Sequence, residues 1–100
     1  MRIYVACPLT KGDISVNVRN GILSADEIAG FGHTVFVPAL THFWHMMCPH
    51  NYEFWMKQDF EWIKVCDALY RVPGESAGAD REVEFAKSLG KKIFYDTKEL

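Results

Sequence analysis

One hundred residues, 49% hydrophobic, 14% aromatic and only 24% charged, have the size and composition of a chain that closes around one core. Disorder is excluded, and residues 1–100 read as a single domain. A formal net charge of −2 without any Lys/Arg run lacks the basic excess of a phosphate-backbone binder, so polymeric nucleic acid is not an expected partner. Cys7, Cys48 and Cys66 are odd in number with no CxxC pair. No apolar stretch approaches the roughly 20 residues of a membrane span. The expectation is a soluble cytoplasmic protein with reduced thiols and no membrane partner.

The chain opens on a β-favouring run from Arg2 to Cys7, ended by Pro8, which cannot donate to a strand ladder. Asp13 or Ser15 can then cap a helix whose apolar stripe is Val18, Ile22, Ala25 and Ala29, with Gly30 and Gly32 as stop signals. His33 to Val37 reads as a second strand closed by Pro38. Residues 39–52 carry no clean period and read as a long loop with at most one helical turn. A helix over Glu53–Val65, a strand over Asp67–Val72, a helix over Ser76–Leu89 ended by Gly90, and a strand over Lys92–Asp96 complete the series. Strands alternating with helices through short connections predict a Rossmann-like or flavodoxin-like α/β three-layer sandwich with a parallel sheet of four to five strands. Ligands on such sheets bind at the carboxyl ends of the strands, here the loops after Ala6, Val37, Val72 and Asp96.

Two acids sit on stripes that should face the sheet. Glu82 is followed at three, four and seven residues by Phe85, Ala86 and Leu89, whereas Glu84 and Lys87 fall off that stripe as ordinary solvated charges. Asp59 lies four residues after Trp55 and three and four before Trp62 and Ile63. Paired inward carboxylates suit glycoside chemistry, in which one attacks and the other handles protons or orients a sugar hydroxyl. The plainer alternatives are a first-turn Glu82 reaching water and an Asp59 that satisfies backbone donors. Ser76-Ala77-Gly78-Ala79, feeding the helix that carries Glu82, is a natural anion cradle, while no GxGxxG or Walker sequence is present. His42, His45, Cys48 and His50 contain zinc-ligand types, but their spacing matches no standard finger, and pocket lining is the preferred use.

Three segments resemble one family. Ile3-Tyr4-Val5-Ala6-Cys7-Pro8-Leu9-Thr10 resembles the strand-one signature of the nucleoside 2-deoxyribosyltransferase superfamily. Asp59 through Asp67 is similar to its helix-to-strand segment, with the two acids eight residues apart, and Ser76 through Ala86 followed by Leu89-Gly90 resembles the stretch around its nucleophilic glutamate. The chain is also similar to a short bacterial and phage branch of largely unassigned activity. The resemblance implies cleavage of the N-glycosidic bond of a deoxynucleoside or its 5′-monophosphate, by hydrolysis or transfer, with neither metal nor organic cofactor. It implies Glu82 as nucleophile, Tyr4 positioning that carboxylate and Asp59 supporting proton transfer or sugar orientation, with Ala6, Pro8, Thr10, Ser76, Gly78 and His42 around the substrate. It also implies a homo-oligomer. Ser76 looks like the nucleotide-hydrolase branch, which places a serine at the 5′-phosphate, while Pro8 looks like the transferases. Thr10 stands where the hydrolases carry an arginine, and Lys11 or Arg19 are the candidates for the missing charge. A nucleotide-sensing domain that keeps the pocket without turnover is the alternative reading.

Overall fold

Alternation along β1 (Arg2–Ala6) assigns its side chains to two faces, as a period of two requires. Ile3 and Val5 pack with Ala25 and Ile28 on one face, and Tyr4 and Ala6 pack with Ile63, Ala79, Val83 and Ala86 on the other. The first set meets α1 (Ile14–Gly30), the second α3 (Tyr52–Val65) and α4 (Ala77–Ser88). The computed structural model describes residues 1–100. It is the expected three-layer α/β sandwich, with β2 (Thr34–Phe36), β3 (Ala68–Arg71) and β4 (Lys92–Phe94) beside β1 in the order β2-β1-β3-β4, all parallel. The chain leaves β1 toward β2, then crosses back over β1 to reach β3. The β1/β3 boundary is therefore the switch point at which loops diverge and open a crevice. No helix is long and apolar enough to cross a membrane.

Caps and ties set the geometry of the helices around this crevice. Asp13 is the α1 cap, accepting from the Ser15 and Val16 amides. Asn51 Oδ1 accepts the Phe54 amide at 2.8 Å to start α3, and Ser76 Oγ accepts the Ala79 amide at 3.0 Å to start α4. Asp67 accepts the Arg2 amide at 2.7 Å and locks the entry of β3 against β1. Arg81 grips both oxygens of Glu53, at 2.7 and 3.1 Å, which ties the start of α3 to α4.

Four expectations are corrected. The buried stripe of α1 is Val18, Gly21, Ala25 and Ile28, leaving Ile22 and Ala29 exposed. Gly21 lets the helix press onto Cys7 and Ala39, since a Cβ there would lie 2.9 Å from the Cys7 Sγ. The presumed loop 39–52 is mostly helical, a 3₁₀ turn at Pro38–Leu40 running into α2 (Thr41–Met47). Leu89 is exposed because α4 ends at Ser88. Trp62 is also half outside, stacked on Phe36 of the edge strand at 4.6 Å, so its apolar face covers a sheet edge and not the core.

Candidate active site

Tyr4 lies beneath the crevice, outside its lining. It is fully buried on β1, and its hydroxyl donates to Glu82 Oε2 at 2.5 Å. Glu82 itself is only 5% exposed, on the first turns of α4. Asp59 approaches from α3, and its Oδ1 is sealed from solvent with no hydrogen-bond partner. A buried acceptor without an ordinary donor is unfavourable by roughly 1–3 kcal/mol in a core, which a proton shared with the neighbouring Glu82 carboxyl offsets. Three elements thus bring three groups together, the two acids from the inward stripes of α3 and α4 and Tyr4 from β1.

Electrostatics at this point favour the neutral forms. Burial pushes the Glu82 carboxyl well above the usual carboxylate range, and the neighbouring Asp59 adds to the rise, against the Tyr4 hydrogen bond and the Arg71 charge that favour ionisation. Asp59 is also raised by burial, partly offset by hydrogen bonding with Glu82 and Tyr4. Burial and the two carboxyls likewise push the Tyr4 phenol well above its ordinary value. Two carboxyls this close titrate as one unit that retains a proton. The Cys7 thiol, on the same floor, is pushed up to about 12 by burial and by Glu82, so it is an inert neutral wall.

A cleft of about 650 Å³ opens above this floor. Asp59 and Glu82 line it together with four of the expected substrate-side residues, Thr10, Ser76, Gly78 and His42. Ala6 and Pro8 lie outside the lining. Ala6 is fully buried in the core, and Pro8 sits beneath Gly74, whose Cβ position is 2.9 Å from the proline Cγ. Pro8 thereby fits one switch-point loop to the other. Lys11 lines the mouth, paired with Glu75 at 2.6 Å across the two loops; Arg19 is not in the lining.

Several lining residues escape the sequence argument. Tyr52, Trp55 and Met56 share one face of α3 with the expected Asp59, and Pro38 and Ala39 line the cleft with them. The signal for the first set is present as a three-four-seven spacing ending on the acid. Arg71 is the other omission: 8% exposed at the end of β3, it donates to the carbonyls of Val72 and Gly74 and to Asp80, the last two at 2.8 and 3.0 Å. It holds the β3–α4 loop and puts a buried positive charge behind Glu82. An arginine within Ala68-Leu69-Tyr70-Arg71-Val72 is the visible clue. Of the His/Cys cluster, His42, His45 and His50 line the cleft and Cys48 does not. His45 Nδ1 accepts from the Trp55 indole at 2.9 Å, His50 stacks on Phe54 at 3.8 Å, and Cys48 is exposed. No group of three His, Cys, Asp or Glu side chains is arranged to hold a metal.

The architecture is that of a 2-deoxyribosyltransferase fold. The chain is similar in structure to the 2-deoxyribosyltransferase of the psychrotolerant bacterium Bacillus psychrosaccharolyticus, a biocatalyst for nucleoside synthesis, with a TM-score of 0.68 and 24% identity over 93% of this chain and 69% of that one. No curated protein matches. Residues 1–95 match DUF4406, a domain of unknown function, and the chain belongs to that family.

Proposed function

We propose that the chain cleaves the N-glycosidic bond of a deoxynucleoside or its 5′-monophosphate, passing the sugar to water or to a second base, with Glu82 as nucleophile. The observation that carries this reading is the buried Tyr4–Glu82 hydrogen bond beside the unpartnered Asp59 oxygen at the floor of a cleft. The shared fold with a 2-deoxyribosyltransferase supports it.

In the proposed reaction the Asp59/Glu82 pair carries one proton, on Asp59 when the sugar is seated. The Tyr4 hydroxyl and the Arg71 charge then favour the ionised Glu82. A Glu82 oxygen forms a bond to C1′ as the C1′–N bond breaks and its electron pair passes into the base. Asp59 gives its proton to the departing base. Water next attacks C1′, Asp59 takes a water proton, and Glu82 leaves as carboxylate, restoring the pair. With a second base as acceptor, the same steps run in reverse through a new C1′–N bond. The loop with Thr10 and Lys11 and the start of α4 with Ser76 and Gly78 flank the 5′ end of the sugar in this reading, and the apolar wall of Pro38, Ala39, Trp55 and Met56 receives the base.

The test is product analysis with a panel of deoxynucleosides and their 5′-monophosphates, with and without an acceptor base. Free base from the wild type and none from Glu82→Ala is the expected result. Nucleotide binding without release would replace the enzyme by a sensing domain. Self-association belongs to the same proposal: α2 exposes Phe43, Met46 and Met47 away from the core, and sedimentation equilibrium is expected to find more than a monomer.

A further inference from the structure

We propose that His45 is a fixed hydrogen-bond donor to the departing base, an inference that rests on the glycosidic reading above. The stripe Tyr52-Trp55-Met56-Asp59 places Trp55 one helical turn from the acid, about 6 Å along the α3 axis. That is the reach from C1′, beside the carboxyls, to the body of a nucleobase. Across from Trp55, α2 supplies His45, which also lines the cleft.

The tautomer of His45 is set by its neighbours. Its Nδ1 accepts the Trp55 Nε1–H at 2.9 Å and the His50 backbone N–H at 3.2 Å. A ring nitrogen that accepts two N–H groups carries no proton, so the neutral imidazole must carry its hydrogen on Nε2. That Nε2–H has no protein partner and is not among the sealed side-chain atoms. The ring is further held edge-on to Trp55, with centroids 5.6 Å apart. Neighbouring His42 has neither nitrogen engaged by the protein and only a tilted contact with Phe43, so nothing selects its tautomer.

A donor so held in an apolar wall suits the chemistry of departure. As the C1′–N bond breaks, its electron pair enters the base and accumulates on ring nitrogens and carbonyl oxygens. A preoriented N–H at one of those acceptors interacts more strongly in the transition state than with the intact substrate. His45 gives up no proton in this reaction; the base receives its proton from Asp59.

The experiment compares kcat/KM of the wild type and His45→Ala on the best-cleaved substrate and on a derivative whose base departs more easily. For a purine that derivative is the 7-methyl form, which leaves as a neutral base; for a pyrimidine it is the 5-fluoro form. His45→Ala is expected to lose about 10²-fold on the ordinary base and only a few-fold on the activated one. Equal losses on both would assign His45 to packing and overturn the inference, while Glu82-dependent base release by the wild type keeps the glycosidic reading intact. Absence of base release from the wild type would remove both. Independently of folding in the variant, ¹⁵N spectra of the native protein are expected to find the His45 proton on Nε2 at neutral pH. A proton on Nδ1 would overturn the inference.

Discussion

The 2.5 Å hydrogen bond from Tyr4 to Glu82 joins a residue whose ring packs in the core to one whose carboxyl faces the cleft. Tyr4→Phe keeps the ring, including its 5.7 Å stacking on Phe36, and removes only the donor. Because that donor favours ionised Glu82, its loss raises the Glu82 pKa further. Base release by Tyr4→Phe is expected to fall about 10²-fold with the acidic limb of the pH–rate profile moved to higher pH. An unchanged limb would mean that the phenol does not act on the carboxyl. The three groups are legible in sequence for different reasons: the acids because charged residues interrupt apolar stripes, Tyr4 only through the family resemblance. Arg71 breaks no period, because a strand buried on both faces carries no alternation, and its one mark in the sequence is a charge within an apolar run.

The loops at the β1/β3 boundary are fitted to each other by Pro8 and Gly74. Gly74 has φ +125° and a Cβ position 2.9 Å from the Pro8 Cγ, so Gly74→Ala meets both backbone strain and a clash. A loss of about 1–3 kcal/mol is expected, seen as a drop in Tm of about 4–8 °C per kcal/mol. Gly12→Ala is the control, with φ +82° and nothing within 4 Å, and should lose less. Ser76 holds two roles apart. Ser76→Ala removes the α4 cap and is expected to lower stability by about 1 kcal/mol. Ser76→Asp retains a cap but places a negative charge at the helix start, so thermal unfolding should stay near that of the wild type while cleavage of monophosphates falls relative to nucleosides. Parallel loss on both substrate classes would separate Ser76 from the phosphate end. At this scale the sequence underestimates α2. Thr41–Met47 has no fully buried residue, and its half-buried face is the polar Thr41, His42 and His45, so no hydrophobic period marks it; its helicity follows from the preceding Pro38–Leu40 turn and the aromatic contacts of Trp44 and His45 with Trp55.

Over the whole molecule, the alternation of elements determines the parallel sheet, and handedness of the crossovers restricts strand order. What alternation cannot supply is the rotation of each helix about its axis. That depends on local close approach, as at Gly21 over Cys7, and it decides which lining residues meet.

Stability as a function of pH reports on the same assembly. Glu82 and Asp59 both have raised pKa values in the folded chain, so between the ordinary carboxylate range and those raised values the native state holds protons that the unfolded state has released. Stability must then fall as pH rises through that window. Glu53 and Asp67 act oppositely, their pKa values lowered by Arg81 and by the Arg2 amide, so their contribution fades as pH falls. Both are exposed and screened by solvent, which leaves the buried pair dominant above about pH 5. Tm of the wild type is therefore expected to decline from about pH 5 toward neutrality. Glu82→Gln should flatten that decline and gain roughly 1 kcal/mol at pH 7, about 4–8 °C in Tm, because a neutral amide replaces a carboxyl that resists ionisation. The same variant should release no base. A wild-type slope retained in Glu82→Gln would place the titrating proton outside the pair, whereas a flattened slope with lost activity would tie the instability of the site to its chemistry.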